Sequence, residues 1–171
     1  GYDGQFWDNV QCAVSKEVQC SNACSPIKNL ELGIQRYIAQ GVPASSMYLG
    51  LAWYGLMYET VVGVPFFTGQ IHYSDIQALI AAAGDNVSLT YDDSSATWKL
   101  DCGGLCKQWT DKITDRTNHI WFDDPKTLAT KNNLVRQYGL RGGGMWEATH
   151  VTYDDDEPTP DADAMWGSLC Q

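Results

Sequence analysis

The chain has 171 residues, 44% of them hydrophobic, which is enough for a domain burying about 70% of its unfolded surface and excludes disorder as a description of the whole. Eleven Lys+Arg against 21 Asp+Glu give a net charge of −10, leaving no electrostatic footing for a nucleic-acid backbone or an anionic membrane surface. No apolar run approaches the roughly 20 residues of a membrane span, and the opening GYDGQFWDNV lacks the basic and apolar regions of a signal peptide.

After an extended opening and a cysteine-bearing loop, Ser25 and Pro26 supply an N-cap and a first-turn proline. Ile27, Leu30, Ile34, Tyr37 and Ile38 then recur at helical spacing until Gly41. Residues 47–55, MYLGLAWYG, form a continuous apolar run that predicts a parallel strand covered on both faces. Ser74-Asp75-Ile76-Gln77 reads as a capping box opening a helix through Ile76, Leu79, Ile80 and Ala83, closed by Gly84. Residues 87–100 predict a hairpin turning at Asp92 to Ser95, and residues 118–122 a further short strand. Asp124 and Pro125 open the next helix, spaced by Leu128, Asn132, Val135 and Tyr138 and ended by Gly139. Residues 139–148 then give a glycine-rich strand carrying Trp146, where missing side chains let another backbone or a ligand come close. The acidic stretch Asp154 to Glu157, with Pro158 and Pro160 beyond it, reads as a solvated loop, because it lacks the glycine and ligand spacing of a calcium-binding loop.

Six cysteines, Cys12, Cys20, Cys24, Cys102, Cys106 and Cys170, are an even count and read as disulfides formed in an oxidising compartment. Zinc held by the two Cys-x3-Cys pairs would leave two cysteines unmatched. Local spacing favours a Cys102–Cys106 bond and pairing within the trio Cys12, Cys20 and Cys24, with Cys170 or one of the trio available for a bond elsewhere. Asn86-Val87-Ser88 makes Asn86 a candidate glycosylation site in an exposed loop.

Three pieces stand in order: Tyr2-Asp3, Ala52-Trp53-Tyr54-Gly55 and Gly144-Met145-Trp146-Glu147. Together with WFDDPKTLATKNNLVRQYGLRGGGMWEA over residues 121–148, they resemble the C-terminal half of a family 18 glycoside hydrolase. In that family the sixth, seventh and eighth barrel strands end in a Tyr-Asp pair, a Trp-Tyr-Gly and a Gly-Met-Trp. The resemblance covers most of the chain and is loosest over residues 56–117, which read as insertion-like.

The resemblance implies an α/β fold, the C-terminal part of a (β/α)8 TIM barrel: strands six to eight with their helices and a small inserted hairpin, incomplete alone. It implies cleavage of β-1,4-linked N-acetylglucosamine by substrate-assisted retention, as in chitinases and chitobiases, with neither cofactor nor metal. On that likeness Tyr2 holds the substrate acetamide and Asp3 supports the charged intermediate. Trp146 floors the sugar, Glu147 accepts a sugar hydroxyl, and Tyr54, with Trp53 beside it, completes the substrate-binding set. Many relatives carry an arginine two residues past that tyrosine; here position 56 is Leu, which takes that sugar contact away. Read by burial alone, Trp53 and Trp121 are core aromatics, while the glycine-rich approach favours Trp146 as a sugar floor. His72, His119 and His150 show no triad or metal spacing and fit surface or satisfied-core roles.

The family's proton donor closes an Asp-x-x-Asp-x-Asp-x-Glu run, and none of Glu17, Glu31, Glu59, Glu147 and Glu157 is preceded by aspartates in that pattern. The expectation is therefore a chain inactive alone, completed by the N-terminal half of the same barrel from one precursor or a second chain. Its setting would be lysosomal or secreted and its other partner an N-acetylglucosamine oligosaccharide. The alternative is a non-catalytic sugar-binding or interaction protein on the same scaffold.

Overall fold

The computed structural model describes residues 25–62, 64–103, 106–154 and 157–170. Helix α1 (Ile27–Ala39) starts on Pro26, which supplies no side-chain cap, and buries Leu30 and Ile34. Ser25 sits at φ 45° and does not cap the helix as its sequence position predicts. Gly41, at φ 88°, turns the chain out of α1. A 3-10 turn at Ala44–Ser46 then feeds strand β1 (Tyr48–Ala52).

The 47–55 run does not form one strand. It breaks at Trp53: β1 ends at Ala52, and Tyr54 opens a strand in a different sheet, β2 (Tyr54–Val61). Strand β3 (Val64–His72) returns antiparallel to β2, with Tyr54 opposite His72, and runs directly into α2 (Tyr73–Ala83). This helix starts one residue before the expected cap at Ser74, because β3 delivers the chain with His72 extended and Tyr73 already buried. Strands β4 (Ser88–Asp92) and β5 (Thr97–Asp101) form the expected hairpin, and β6 (His119–Phe122) lies between β5 and β2. The sheet order is β3-β2-β6-β5-β4, all antiparallel. What the sequence predicts as a small inserted hairpin is thus a five-stranded sheet with its own helix.

One face of this insert packs on α2. A Cβ built on Gly55 would lie 2.6 Å from Ile76 Cδ1 and 2.8 Å from Ile120 Cγ2, so the absent side chain sets how close helix and sheet can come. Met57, Ile71, Leu100 and Ile120 of the sheet join Ile76 and Leu79 of α2 in the main core. The opposite face carries a second cluster, Ala52, Leu56 and Tyr58, with Tyr54 and Trp121 against it. At the β2–β3 tip Val62 is 98% exposed, with Val61, Phe66 and Phe67 also exposed.

Helix α3 (Pro125–Tyr138) has the predicted ends: Asp124 accepts from Thr127 N–H in a capping box, Pro125 stands first, and Gly139 closes it at φ 62°. It leads into β7 (Gly142–Trp146), which pairs parallel with β1 in register from Tyr48 opposite Gly142 to Ala52 opposite Trp146. Among the described residues β1 has no other strand beside it. A cavity of about 400 Å³, lined by Leu30, Ile34, Tyr37, Met47, Leu49 and Leu140, opens between α1 and β1.

Helix α3 and the insert are joined by a buried ion pair. Lys131 Nζ donates to both carboxylate oxygens of Asp123 at 2.7 Å and to Thr97 Oγ1 at 3.1 Å, while Thr127 Oγ1 donates to Asp123 at 3.0 Å. Burial pushes the Asp123 carboxyl up, and the ammonium beside it pulls it back. Part of the acidic stretch pairs as β8 (Tyr153–Asp154) with β9 (Glu157–Pro158). Helix α4 (Pro160–Gly167), capped by Thr159, then sets Trp166 edge-on against Trp53 at 5.0 Å.

Candidate functional site

At the C-terminal ends of β1 and β7 the two strands deliver Trp53 and Trp146 side by side, and Trp53 N–H donates to the Trp146 carbonyl at 2.9 Å. Alternation then sends the two indoles to different fates. Trp53 is 0% exposed, packed on Trp166, and is a core residue; it leaves the substrate-binding set to which its position beside Tyr54 assigned it, because no sugar reaches a sealed ring. Trp146 is 54% exposed at the strand end.

The glycines before it do different jobs. A side chain on Gly143 would strike the Asn132 amide of α3, so this glycine serves helix–strand packing, whereas Gly144 has nothing within 4 Å. Glu147 follows Trp146 across a cis peptide and opens a 3-10 turn at Ala148–His150. Its carboxylate accepts from Thr149 Oγ1 at 2.8 Å and lies 3.6 Å from His150 Nε2. Tyr54 is half-buried, touching the Leu56–Trp121 cluster on one side and the His150 ring edge-on at 6.0 Å on the other. Leu56, in place of the family's arginine, is buried in that cluster. Trp121, expected in the core, is half-buried beside Tyr54.

Two histidines join the site without any sequence signal. His72 and His150 stack at 4.1 Å, although 78 positions separate them in the chain. Burial lowers the His150 pKa first and His72 adds to this, while Glu147, the Trp53 backbone and Asp75 oppose it. His119 is elsewhere, buried under Tyr58, and its pKa is pushed down to about 4, chiefly by desolvation and then by Lys99. An exposed indole with a carboxylate and a phenol close by, at the ends of two parallel strands, is suited to stacking a pyranose and bonding its hydroxyls. Among the described residues no cluster has the make-up of a metal site.

Tyr2 and Asp3, and likewise Cys12, Cys20 and Cys24, lie outside the described residues. The Cys102–Cys106 bond forms as expected, and Cys170 is exposed with a free thiol. Asn86 is exposed in the loop between α2 and β4, with its amide donating to the Ala83 carbonyl at 2.7 Å.

A family model described as glycosyl hydrolases family 18 matches residues 2–150. Di-N-acetylchitobiase of Rattus norvegicus is 26% identical over 163 residues, which span 86% of this chain and 42% of that protein. A probable di-N-acetylchitobiase of Dictyostelium discoideum is 25% identical, over 95% of this chain and 46% of that protein. Among solved structures, a chitinase from Chromobacterium violaceum superposes with a TM-score of 0.63 at 22% identity, covering 88% of this chain and 41% of its own. Human YKL-39, described as a pseudo-chitinase with retained chitooligosaccharide binding, superposes with a TM-score of 0.65 at 16% identity, covering 91% and 43%. The chain thus spans less than half the length of the relatives it matches.

Proposed function

This chain belongs to glycosyl hydrolases family 18, whose structures are (β/α)8 barrels, and from that premise we propose that it forms the C-terminal part of a chitobiase- or chitinase-like hydrolase. The observation that carries the reading is the exposed Trp146 indole at the end of β7, beside Glu147 and Tyr54 and inside the family match.

In this reading Trp146 stacks on the sugar face and Tyr54 borders it. Glu147, already oriented by Thr149 and His150, accepts a sugar hydroxyl. Tyr2 donates to the acetamide carbonyl as it attacks the anomeric carbon, and Asp3 stabilises the positive charge that develops. The proton for the leaving oxygen comes from a glutamate in the N-terminal half of the barrel, which is the chain's protein partner. The apolar cavity beside β1, and the lack of a second neighbouring strand for β1 among the described residues, support that partner, since a parallel strand is ordinarily flanked on both sides. A lysosomal or secreted setting goes with the Cys102–Cys106 bond and with glycosylation at the exposed Asn86.

The buried Leu56 favours one alternative, a sugar-binding protein without turnover, because it removes a polar contact from the site. The test is hydrolysis and binding of chitobiose by the full-length protein. Trp146→Ala should weaken binding about tenfold or more, some 1.4 kcal/mol, and Tyr2→Phe should lower turnover about 100-fold. Tight binding with no turnover in the unmodified protein selects the alternative. Full activity in both variants removes the site assignment.

A further inference from the structure

The Trp146–Glu147 end of β7 is held from the side by a device that sugar chemistry does not require. His150 closes the 3-10 turn after β7 and is 8% exposed; His72 closes β3 and is exposed. Their rings stack at 4.1 Å with 24° between planes, and Tyr54, the strand partner of His72, meets His150 edge-on. The stack therefore joins the insert to the turn that carries Glu147. Glu147 N–H donates to His150 Nδ1 at 3.4 Å, and Glu147 Oε1 lies 3.6 Å from His150 Nε2. Among the described residues, the ionisable groups facing this ring are His72 from β3, Glu147 from the end of β7, Asp75 from α2 and the Tyr54 phenol from β2.

We propose that His72 and His150 form a clasp that positions Trp146 and Glu147 for sugar binding while His150 is neutral, and that releases them when both rings are protonated. The inference rests on the reading of Trp146 as the sugar floor. Its chemistry follows from the imidazole nitrogens. An unprotonated Nδ1 offers a lone pair to the Glu147 N–H; a protonated one sets two donors against each other. Charge on both rings of a stack also makes the stack repulsive. Burial and His72 both favour the neutral His150 ring, which extends the clasped range below the ordinary histidine range.

The test uses the full-length protein and chitobiose as probe, with Kd measured from pH 7.5 to 4.5 and the histidine ring resonances titrated without sugar. In the unmodified protein the Kd should rise about tenfold toward acid pH, following the titration of the His150 ring. His150→Phe keeps a flat ring but no acceptor, and should weaken binding about tenfold at every pH. His150→Asn supplies a carbonyl acceptor that does not titrate, and should restore binding with a flat pH profile. His72→Phe keeps a flat ring in the stack but cannot carry charge, so it should reduce the acid rise to the part that comes from the conflict at His150 Nδ1. Unchanged Kd profiles in His150→Phe and His72→Phe, or a His150 ring whose titration is unmoved by His72→Phe in a protein that binds chitobiose, overturn the clasp. A His150 titration that moves in His72→Phe, in a protein that binds no chitobiose at any pH, overturns the sugar reading instead.

Discussion

Around β1 and β7 the strands run parallel, α3 is drawn close by Gly143, and apolar groups such as Tyr37 and Tyr48 stay exposed beside an open cavity. In the insert five antiparallel strands fold onto α2 and bury Met57, Ile71, Leu100 and Ile120. The contrast is one of connectivity. The β2–β3 and β4–β5 hairpins find their neighbours within a few residues, whereas β1 and β7 are brought together from some ninety positions apart, and one main core joins the two regions.

The joint between the two regions is where one substitution should cost most. Lys131→Met leaves the Asp123 carboxylate buried without its cation, and the full-length protein should lose about 3–5 kcal/mol in urea unfolding; adding Asp123→Leu should recover most of it. A loss well under about 1 kcal/mol in the single variant would mean that the two regions do not depend on this joint.

A smaller, pH-dependent effect belongs to the insert alone. Folding lowers the His119 pKa from 6.5 to about 4, so the neutral ring is the folded form. Its contribution is intact above pH 6.5 and is lost as pH falls through that window toward 4, by up to about 3 kcal/mol. His119→Gln should shrink the difference in unfolding midpoint between pH 7 and pH 4.5; an unchanged difference assigns the acid sensitivity to other groups.

The smallest effect separates neighbouring glycines of β7. Gly143→Ala should destabilise by about 1–3 kcal/mol through its collision with Asn132, while Gly144→Ala should stay within about 0.5 kcal/mol. Equal melting temperatures for the two variants would show that α3 does not depend on the bare backbone at Gly143.

Helix α3 was legible in the sequence down to its caps, because Asp124, Pro125 and Gly139 act on backbone groups next to them. The glycine-rich piece likewise led to the strand end at Trp146, whereas the piece Ala52 to Gly55 spans the end of β1 and the start of β2. The switch of sheets at Trp53 was not legible, since an apolar run looks alike whether its neighbours are parallel or antiparallel. Nor was the full insert: strand pairings such as Tyr58 with His119 join residues some sixty positions apart in hydrophobic patterns that do not name their partners. The His72–His150 stack escaped for the same reason, and while the core place of Trp53 was legible, its partner Trp166 from α4 was not.

The entry and exit of the insert lie side by side. Strand β2 leaves just after Trp53, and β6 returns antiparallel beside it, with Leu56 opposite Trp121, so both ends of the excursion sit together. A segment that begins and ends at one spot behaves as a cassette. Its outer tips can grow or shrink at a closure cost that rises only logarithmically, while the face shared with the main core and the Asp123–Lys131 joint stays fixed.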